Sequence, residues 1–318
     1  MKKEDLLHIF PDFMRPKWVN VLEKADRLQE IRLRIHQPVT VLLENEEWFL
    51  AEEGTLTRDI KHAVFSTERE LEALFAHICQ YSVYAFADEI RQGFITIQGG
   101  HRIGLSGQVI LENQKEIRNI KYIRYLNIRI AHEVKGVSDK ILPFLYSEGD
   151  VLNTLLISPP GCGKTTMLRD LVRNFSKGNP YGAGKNVGVV DERSEIAGSF
   201  LGIPQNDIGI RTDIMDACPK QEGMMMLIRS MAPDILAVDE LGNSGDIEAM
   251  HQVIRCGCKM LATIHGLSLE EVYRKRYMRE VMEEQLFERY LVLGKKNNKC
   301  VVMGIYDKER NLCSNWQE

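Results

Sequence analysis

The sequence has no run of about 18 apolar residues, the length a helix needs to cross a bilayer. No apolar stretch follows its opening Met1-Lys2-Lys3-Glu4-Asp5, so it lacks the pattern of a secretory signal and is expected in the cytoplasm. It also lacks an excess of one charge: the net charge is −4, which gives no global drive toward a polyanion. Nor is there a disulfide framework. The seven cysteines (Cys79, Cys162, Cys218, Cys256, Cys258, Cys300 and Cys313) are odd in number and scattered, as in proteins of a reducing compartment. Cys256-Gly257-Cys258 has no second pair nearby, which disfavours a structural zinc site, since that needs four ligands. Internal repeats and low-complexity tracts are missing as well. What remains is an ordinary globular composition, 44% hydrophobic and 27% charged over 318 residues, enough for two domains.

The texture changes near Pro143 and Ser147-Glu148-Gly149-Asp150. This places a boundary between an N-terminal domain, residues 1–145, and a second domain, residues 146–318. In the first, Leu71–Ile78 spaces its apolar residues like a helix against a core. Phe94–Gln98, the turn Gly99-Gly100 and His101–Val109 read as a glycine-rich hairpin or bulged sheet, and Asn127–Ala131 as another strand. After the boundary, apolar runs at Leu155–Ile157, Val187–Val190, Ile235–Val238, Met260–Ile264, Leu291–Leu293 and Val301–Ile305 alternate with helical stretches. Near-continuous apolar strands separated by helices predict a mostly parallel sheet covered on both faces. The fold class expected is α/β, with a smaller α+β domain in front.

The strand Thr154–Ile157 leads into Ser158-Pro159-Pro160-Gly161-Cys162-Gly163-Lys164-Thr165-Thr166, and a helical pattern follows. This strand–loop–helix arrangement is that of a phosphate-binding loop. Loop and helix N–H groups can cradle phosphate, Lys164 can reach the β- and γ-phosphates, and Thr165 can ligate Mg²⁺. ATP and Mg²⁺ are therefore the expected cofactors, held by Pro160, Gly161, Cys162, Gly163, Lys164, Thr165 and Thr166. The first glycine of the usual motif is replaced by Ser158. The buried strand Ile235–Val238 ends in Asp239-Glu240, at the carboxyl edge where ligands of open α/β sheets gather. Asp239 fits the magnesium shell and Glu240 the group that polarises attacking water. Val189-Val190-Asp191-Glu192-Arg193 repeats the pattern. Its acids, Glu192 among them, either serve water or Mg²⁺ or form a strand-end salt bridge, with Arg193 pairing locally. Thr263 and His265 end a further strand and are placed to sense the γ-phosphate.

Phosphoryl transfer gains from a cation at the developing charge. Residues 115–135 hold six Lys or Arg against two Glu, with Tyr122 and Tyr125 between them. That stretch reads as a solvated face, as a nucleotide contact at a domain or subunit seam, or as a surface for nucleic acid. The charge balance of residues 1–150, 20 Lys or Arg against 23 Asp or Glu, disfavours nucleic acid as the partner. A nucleic-acid-dependent AAA+ type ATPase, such as a helicase or helicase loader, is the alternative reading.

The segments Pro160–Thr166, Val190–Arg193, Asp234–Glu240 and Ala262–Gly266 follow the order of the phosphate loop (Walker A), aspartate box, Walker B strand and histidine box. In this the chain resembles the secretion ATPases of type II secretion, type IV pili and type IV secretion. Phe94–Gly107 and Asp191–Gly198 resemble, more narrowly, the signatures of the stage III sporulation AA family of endospore-forming bacteria. The resemblance implies a RecA-like/AAA+ P-loop NTPase domain and a hexameric ring motor hydrolysing ATP in the mother-cell cytoplasm. It further implies membrane channel proteins of a sporulation complex as partners, and first-domain arginines that reach the phosphates, for which Arg102 and Arg129 are the candidates.

Overall fold

The structure is a computed structural model that describes residues 6–113, 115–296 and 299–313. It divides into two compact units, Met1–His132 and Glu133–Glu318. Among the described residues no helix is long and apolar enough to cross a membrane.

The first unit is built on one antiparallel sheet. Its strands are β1 (Leu28–Arg34), β2 (Thr40–Leu43), β3 (Glu46–Leu50), β4 (Leu56–Thr57), β5 (Phe94–Ile97), β6 (His101–Glu112) and β7 (Glu116–Arg129), in the order β4-β3-β2-β1-β7-β6-β5. Alternation sorts the two faces. Ile31, Leu33, Ile95, Ile103, Leu105, Leu126 and Ile128 are buried, whereas Glu30, Arg32, Arg102, Asn127 and Arg129 alternate with them and stay partly or fully open. Helix α1 (Glu68–Ile78) begins in a capping box, in which Thr67 and Glu70 each satisfy the other's backbone N–H, and buries Leu71, Leu74 and Ile78. Helix α2 (Ala87–Gln92) ends at Gly93. The glycine-rich segment folds as expected into a hairpin, β5 and β6 pairing antiparallel across the turn at Gly99-Gly100, and β6 continues into a long second hairpin with β7. Gly107 has a steric reason: a Cβ there would lie 2.5 Å from the Tyr122 carbonyl oxygen, at a bulge where Tyr122 turns left-handed.

The second unit carries the mostly parallel sheet. After a small hairpin, β8 (Tyr146–Ser147) and β9 (Asp150–Val151), come β10 (Thr154–Ser158), α3 (Lys164–Lys177), β11 (Val187–Asp191), β12 (Thr212–Asp216) and α4 (Lys220–Ser230). Then follow β13 (Ile235–Val238), α5 (Ser244–Arg255), β14 (Lys259–His265), α6 (Leu269–Arg274), α7 (Arg276–Glu283), β15 (Arg289–Lys296) and β16 (Lys299–Asp307). The order is β12-β11-β13-β14-β10-β15-β16, with only β16 antiparallel. The central strands are buried on both faces. Leu155, Ile157, Leu236, Val238, Ala262 and Ile264 pack with Met224, Val253, Val272 and Phe287. Leu156, Ile235, Ala237 and Leu261 pack on the other side with Leu168, Leu171 and Phe175 of α3. This double covering explains the unbroken apolar runs in the sequence. The edge strand β12, Thr-Asp-Ile-Met-Asp, is only half-buried and has no such run.

The compact units divide at 132/133, ahead of the 145/146 boundary read from the sequence. Residues 133–145 belong with the second unit because α3 holds them there. The buried Asp170 carboxylate accepts the Gly136 N–H (3.0 Å), the Ser138 N–H (2.9 Å) and the Ser138 hydroxyl (2.7 Å). Ile141, Leu142 and Leu145 join the α3-side core. Burial raises the Asp170 pKa, but these donors and Arg173 outweigh it and hold the carboxyl below its usual range.

Candidate active site

Strand β10 ends at Ser158, fully buried and paired in parallel register with His265. Ser158 is a strand residue and is not among the positions with positive φ. Nothing about its backbone demands glycine, and the replacement is accommodated. Gly161 (φ 69°) and Gly163 (φ 74°) are left-handed, the region that costs a side-chain-bearing residue about 1–2 kcal/mol. Gly163 forms the N-cap of α3, which opens at Lys164, so that the free N–H groups of its first turn face the loop.

Lys164, 8% exposed, is the centre of the site. Its Nζ lies 3.3 Å from Asp239 Oδ1 and 3.7 Å from Glu240 Oε2. Thr165 Oγ1 donates to Asp239 Oδ2 at 3.0 Å. Strand β14 stands between β10 and β13 and supplies the remaining groups. Thr263 Oγ1 donates to Asp239 Oδ1 at 2.5 Å and accepts the Glu240 N–H at 2.8 Å. His265 Nε2 sits 3.2 Å from Glu240 Oε1, and its Nδ1 faces the Ser158 carbonyl oxygen at 3.4 Å. The Glu240 backbone is left-handed, φ 57°, an arrangement of about 1–3 kcal/mol strain that persists only where its surroundings fix it. Here the Thr263 hydroxyl holds its N–H, and the Thr263 carbonyl oxygen accepts the next one, Leu241, at 2.8 Å.

The structure thus brings together Lys164, Thr165, Asp239, Glu240, Thr263 and His265. Thr263 donates to the Asp239 carboxylate and accepts the Glu240 backbone N–H, just past the end of the neighbouring strand. Arg193 does not pair locally: its Nη1 lies 3.6 Å from Glu240 Oε2. Adjacent parallel strands explain this, since β11 and β13 pair along their length and end side by side. Asp191 and Glu192 are engaged elsewhere. Asp191, 1% exposed, accepts the N–H groups of Glu195 (2.8 Å), Ile196 (3.0 Å) and Ala197 (2.8 Å). Burial pushes its carboxyl up to about 6 despite these three donors. Glu192 forms an ion pair with Lys220 at the start of α4. The sequence alone does not disclose the contributions of Arg193 to Glu240 and of Lys220 to Glu192. Strand adjacency carries the first, and no local pattern signals the second.

Beside the loop, Val137, Ile141, Met167, Leu293 and Val302 line a mainly apolar cavity of about 600 Å³ that reaches Cys162, Gly163 and Thr166. In the first unit, Arg102 and Arg129 stand opposite each other across β6 and β7. Like charges so placed repel. The guanidinium of Arg102 lies over the Phe94 ring at 3.4 Å, and Arg129 Nε approaches Glu30 Oε1 at 3.9 Å.

Three comparisons bear on this arrangement. The family model described as sporulation stage III, protein AA, matches residues 1–312. The chain is 37% identical over 311 residues to the stage III sporulation protein AA of Bacillus subtilis, covering 98% of this chain and 97% of that one. Among solved structures, the chain is similar to the Legionella pneumophila ATPase DotB (TM-score 0.57, 13% identity, 94% of this chain and 81% of that chain). It is likewise similar to the pilus retraction motor PilT with bound ADP (TM-score 0.58, 12% identity, 90% and 81%). At such identities these two likenesses speak to the fold, that of P-loop secretion ATPases, and the match along nearly the whole sequence places the chain itself in the sporulation stage III protein AA family.

Proposed function

We propose that this chain is a Mg²⁺-dependent ATPase that works as the motor of a channel complex in endospore formation. The observation that carries the reading is the buried Lys164 ammonium, held between Asp239 and Glu240 beside a loop of two left-handed glycines. Removing such a lysine from between two acids costs several kcal/mol, so an anionic ligand that competes for it has to be a strong one, as a triphosphate is. The donors suit the ion as well. Thr165 hydroxyl and Asp239 carboxylate are hard oxygen ligands, and a magnesium ion bound to them supplies neutralisation of phosphate charge. Glu240, flanked by His265 and Arg193, accepts the proton of the attacking water. Thr263 fixes the direction of both acids. The cavity lined by Val137, Ile141, Met167 and Leu293 offers an apolar seat for the nucleoside.

The wider role rests on the family and on the likeness to secretion and pilus ATPases. On that basis the protein acts as a homo-hexamer in the mother-cell cytoplasm, docked on membrane channel proteins. Arg102 and Arg129 are the first-unit arginines that reach a nucleotide in the ring, and Arg129, 60% exposed along its side chain, is open enough to do so. The test is ATP hydrolysis and fluorescent-ADP binding by purified protein and Lys164→Ala, with mass measured by light scattering with and without ATP. Wild type should turn over, and Lys164→Ala should bind at least about 100-fold more weakly, the order expected for loss of a charge-assisted contact to phosphate. Equal binding by the two proteins overturns the reading.

A further inference from the structure

Cys162 occupies the loop between the two left-handed glycines and is buried, whereas Cys300 on β16 is exposed. The two chain segments meet at the loop. Cys300 Sγ lies 3.6 Å from the Gly161 carbonyl oxygen. A Cβ built on Gly163 would meet Cys300 Cβ at 3.7 Å and its Sγ at 3.8 Å. Both cysteines line the cavity beside the loop, and the contacts of Cys300 fall on Gly161 and Gly163, the residues that flank Cys162.

We propose that Cys162 and Cys300 form a thiol pair which peroxide-class oxidants convert into a disulfide, tying the phosphate loop to β16 and closing the site to nucleotide. The closing effect rests on the nucleotide-binding reading given above; the pair itself does not. The exposed Cys300 thiolate attacks one peroxide oxygen, forming an S–O bond and breaking the O–O bond, and becomes the sulfenic acid with release of hydroxide. The Cys162 sulfur then attacks the Cys300 sulfur. The S–S bond forms, the S–O bond breaks, and the hydroxyl departs with the Cys162 proton as water. Two thiols and one peroxide become one disulfide and two waters, the sulfurs oxidised and the peroxide oxygens reduced.

The chemistry has a direction in pH. Burial, with Cys162 adding to it and the Lys295 ammonium only partly opposing it, holds the Cys300 thiol above its ordinary range. The thiolate is therefore scarce at neutral pH, and the bridge forms faster as pH rises. The consequence for the loop lies in its backbone. The N–H groups of Gly161–Gly163 must turn toward phosphate, and a bridge at the residue between the glycines removes their freedom to do so. Linkage makes this reciprocal at equilibrium: whatever factor the bridge takes from nucleotide affinity, bound nucleotide takes from the stability of the bridge relative to the two thiols.

The experiment uses the full chain, reduced and desalted, then treated with hydrogen peroxide with and without saturating ADP. Peptide mapping reads the bridge and a fluorescent ADP analogue reads affinity. The expected result is a peptide pair joining Cys162 to Cys300. Affinity should fall about tenfold or more and recover with a thiol reductant, and saturating ADP, by holding the loop in its phosphate-facing form, should slow bridge formation. In Cys300→Ser, treated and untreated protein should bind ADP alike; Cys162→Ala should likewise form no Cys300 bridge. Peroxide-treated protein with no Cys162–Cys300 peptide pair overturns the proposal, as does a bridged protein of unchanged affinity. If reduced wild type fails to bind ADP, the nucleotide reading is what falls, and the mapped peptide pair alone then decides whether the two thiols are partners.

Discussion

Strands β11 and β13 lie side by side in one sheet, and each leads into the same Val-Asp-Glu triplet: Val190-Asp191-Glu192 and Val238-Asp239-Glu240. The loops behind the two triplets set their acids apart. After Glu192 the chain turns back, with Ser194 left-handed, and aims the N–H groups of Glu195, Ile196 and Ala197 at Asp191. After Glu240 the next N–H goes to the Thr263 carbonyl oxygen, and Asn243 caps α5 by accepting the Asp246 N–H at 3.0 Å. The carboxylate of Asp239 is thereby left to side chains: Lys164, Thr165 and Thr263. A strand-end acid is available for chemistry when the loop after it spends its N–H groups elsewhere. The one at β11 is a clamp for a turn; the one at β13 meets only side chains, and on the proposed reading it is the one that serves the reaction.

The steepest test of this division is a pair of substitutions. Glu240→Gln should cut ATP turnover about 10²–10⁴-fold, the usual worth of a general base, with ADP affinity kept. Glu192→Gln should leave turnover within about threefold, since its ion pair with Lys220 is partly exposed and such pairs are worth about 1 kcal/mol or less. Steady-state phosphate release reads both. An equal collapse in the two variants would mean that both strand ends serve the reaction.

A second test addresses the clamp. Asp191 is raised from 3.8 to about 6 in the folded protein, burial being the main cause. A raised carboxyl contributes stability that is complete below its unfolded value, near pH 4, and lost as pH climbs through 6. Across that window the loss amounts to about 3 kcal/mol. Asp191→Asn cannot ionise, so it should lack this slope. Its amide also leaves one of the three N–H groups without an acceptor, which costs about 1–3 kcal/mol at neutral pH. Urea unfolding between about pH 3 and 7 spans the titration and measures both effects. A variant whose stability runs parallel to the wild-type curve would show that Asp191 is not the group responsible.

Much of this is legible in the sequence, for a physical reason. Strands β10, β11, β13 and β14 are buried on both faces, so their apolar runs advertise them, and the loop glycines mark left-handed backbone. The half-buried β12 has no such signature. The different fates of Asp191 and Asp239 depend on where a loop returns, which spacing along the chain does not encode. The same holds for Arg102 and Arg129, whose opposition is a matter of hairpin register. The role of Thr263 is closer to hand. Val238 pairs with Ala262 in the parallel register, so the next residues, Asp239 and Thr263, must be neighbours at the edge once the two strands are aligned.

The smallest effect belongs to that neighbour. Thr263 is fully buried, and its hydroxyl is both donor to Asp239 and acceptor from the left-handed Glu240. Thr263→Val keeps the shape and removes both bonds. The Glu240 N–H then loses its partner, at a cost of about 1–2 kcal/mol, and the strained backbone loses the contact that fixes it. Stability should fall by that amount. Separately, turnover should fall about tenfold as Glu240 loses its alignment, which corresponds to a barrier raised by roughly 1.4 kcal/mol. Thr263→Ser, which restores the hydroxyl without the methyl, separates the causes. Recovery of turnover in the serine variant assigns the effect to the hydrogen bonds. Failure to recover assigns it to packing of the methyl group, and the contrast between the two strand ends would then rest on the loops alone.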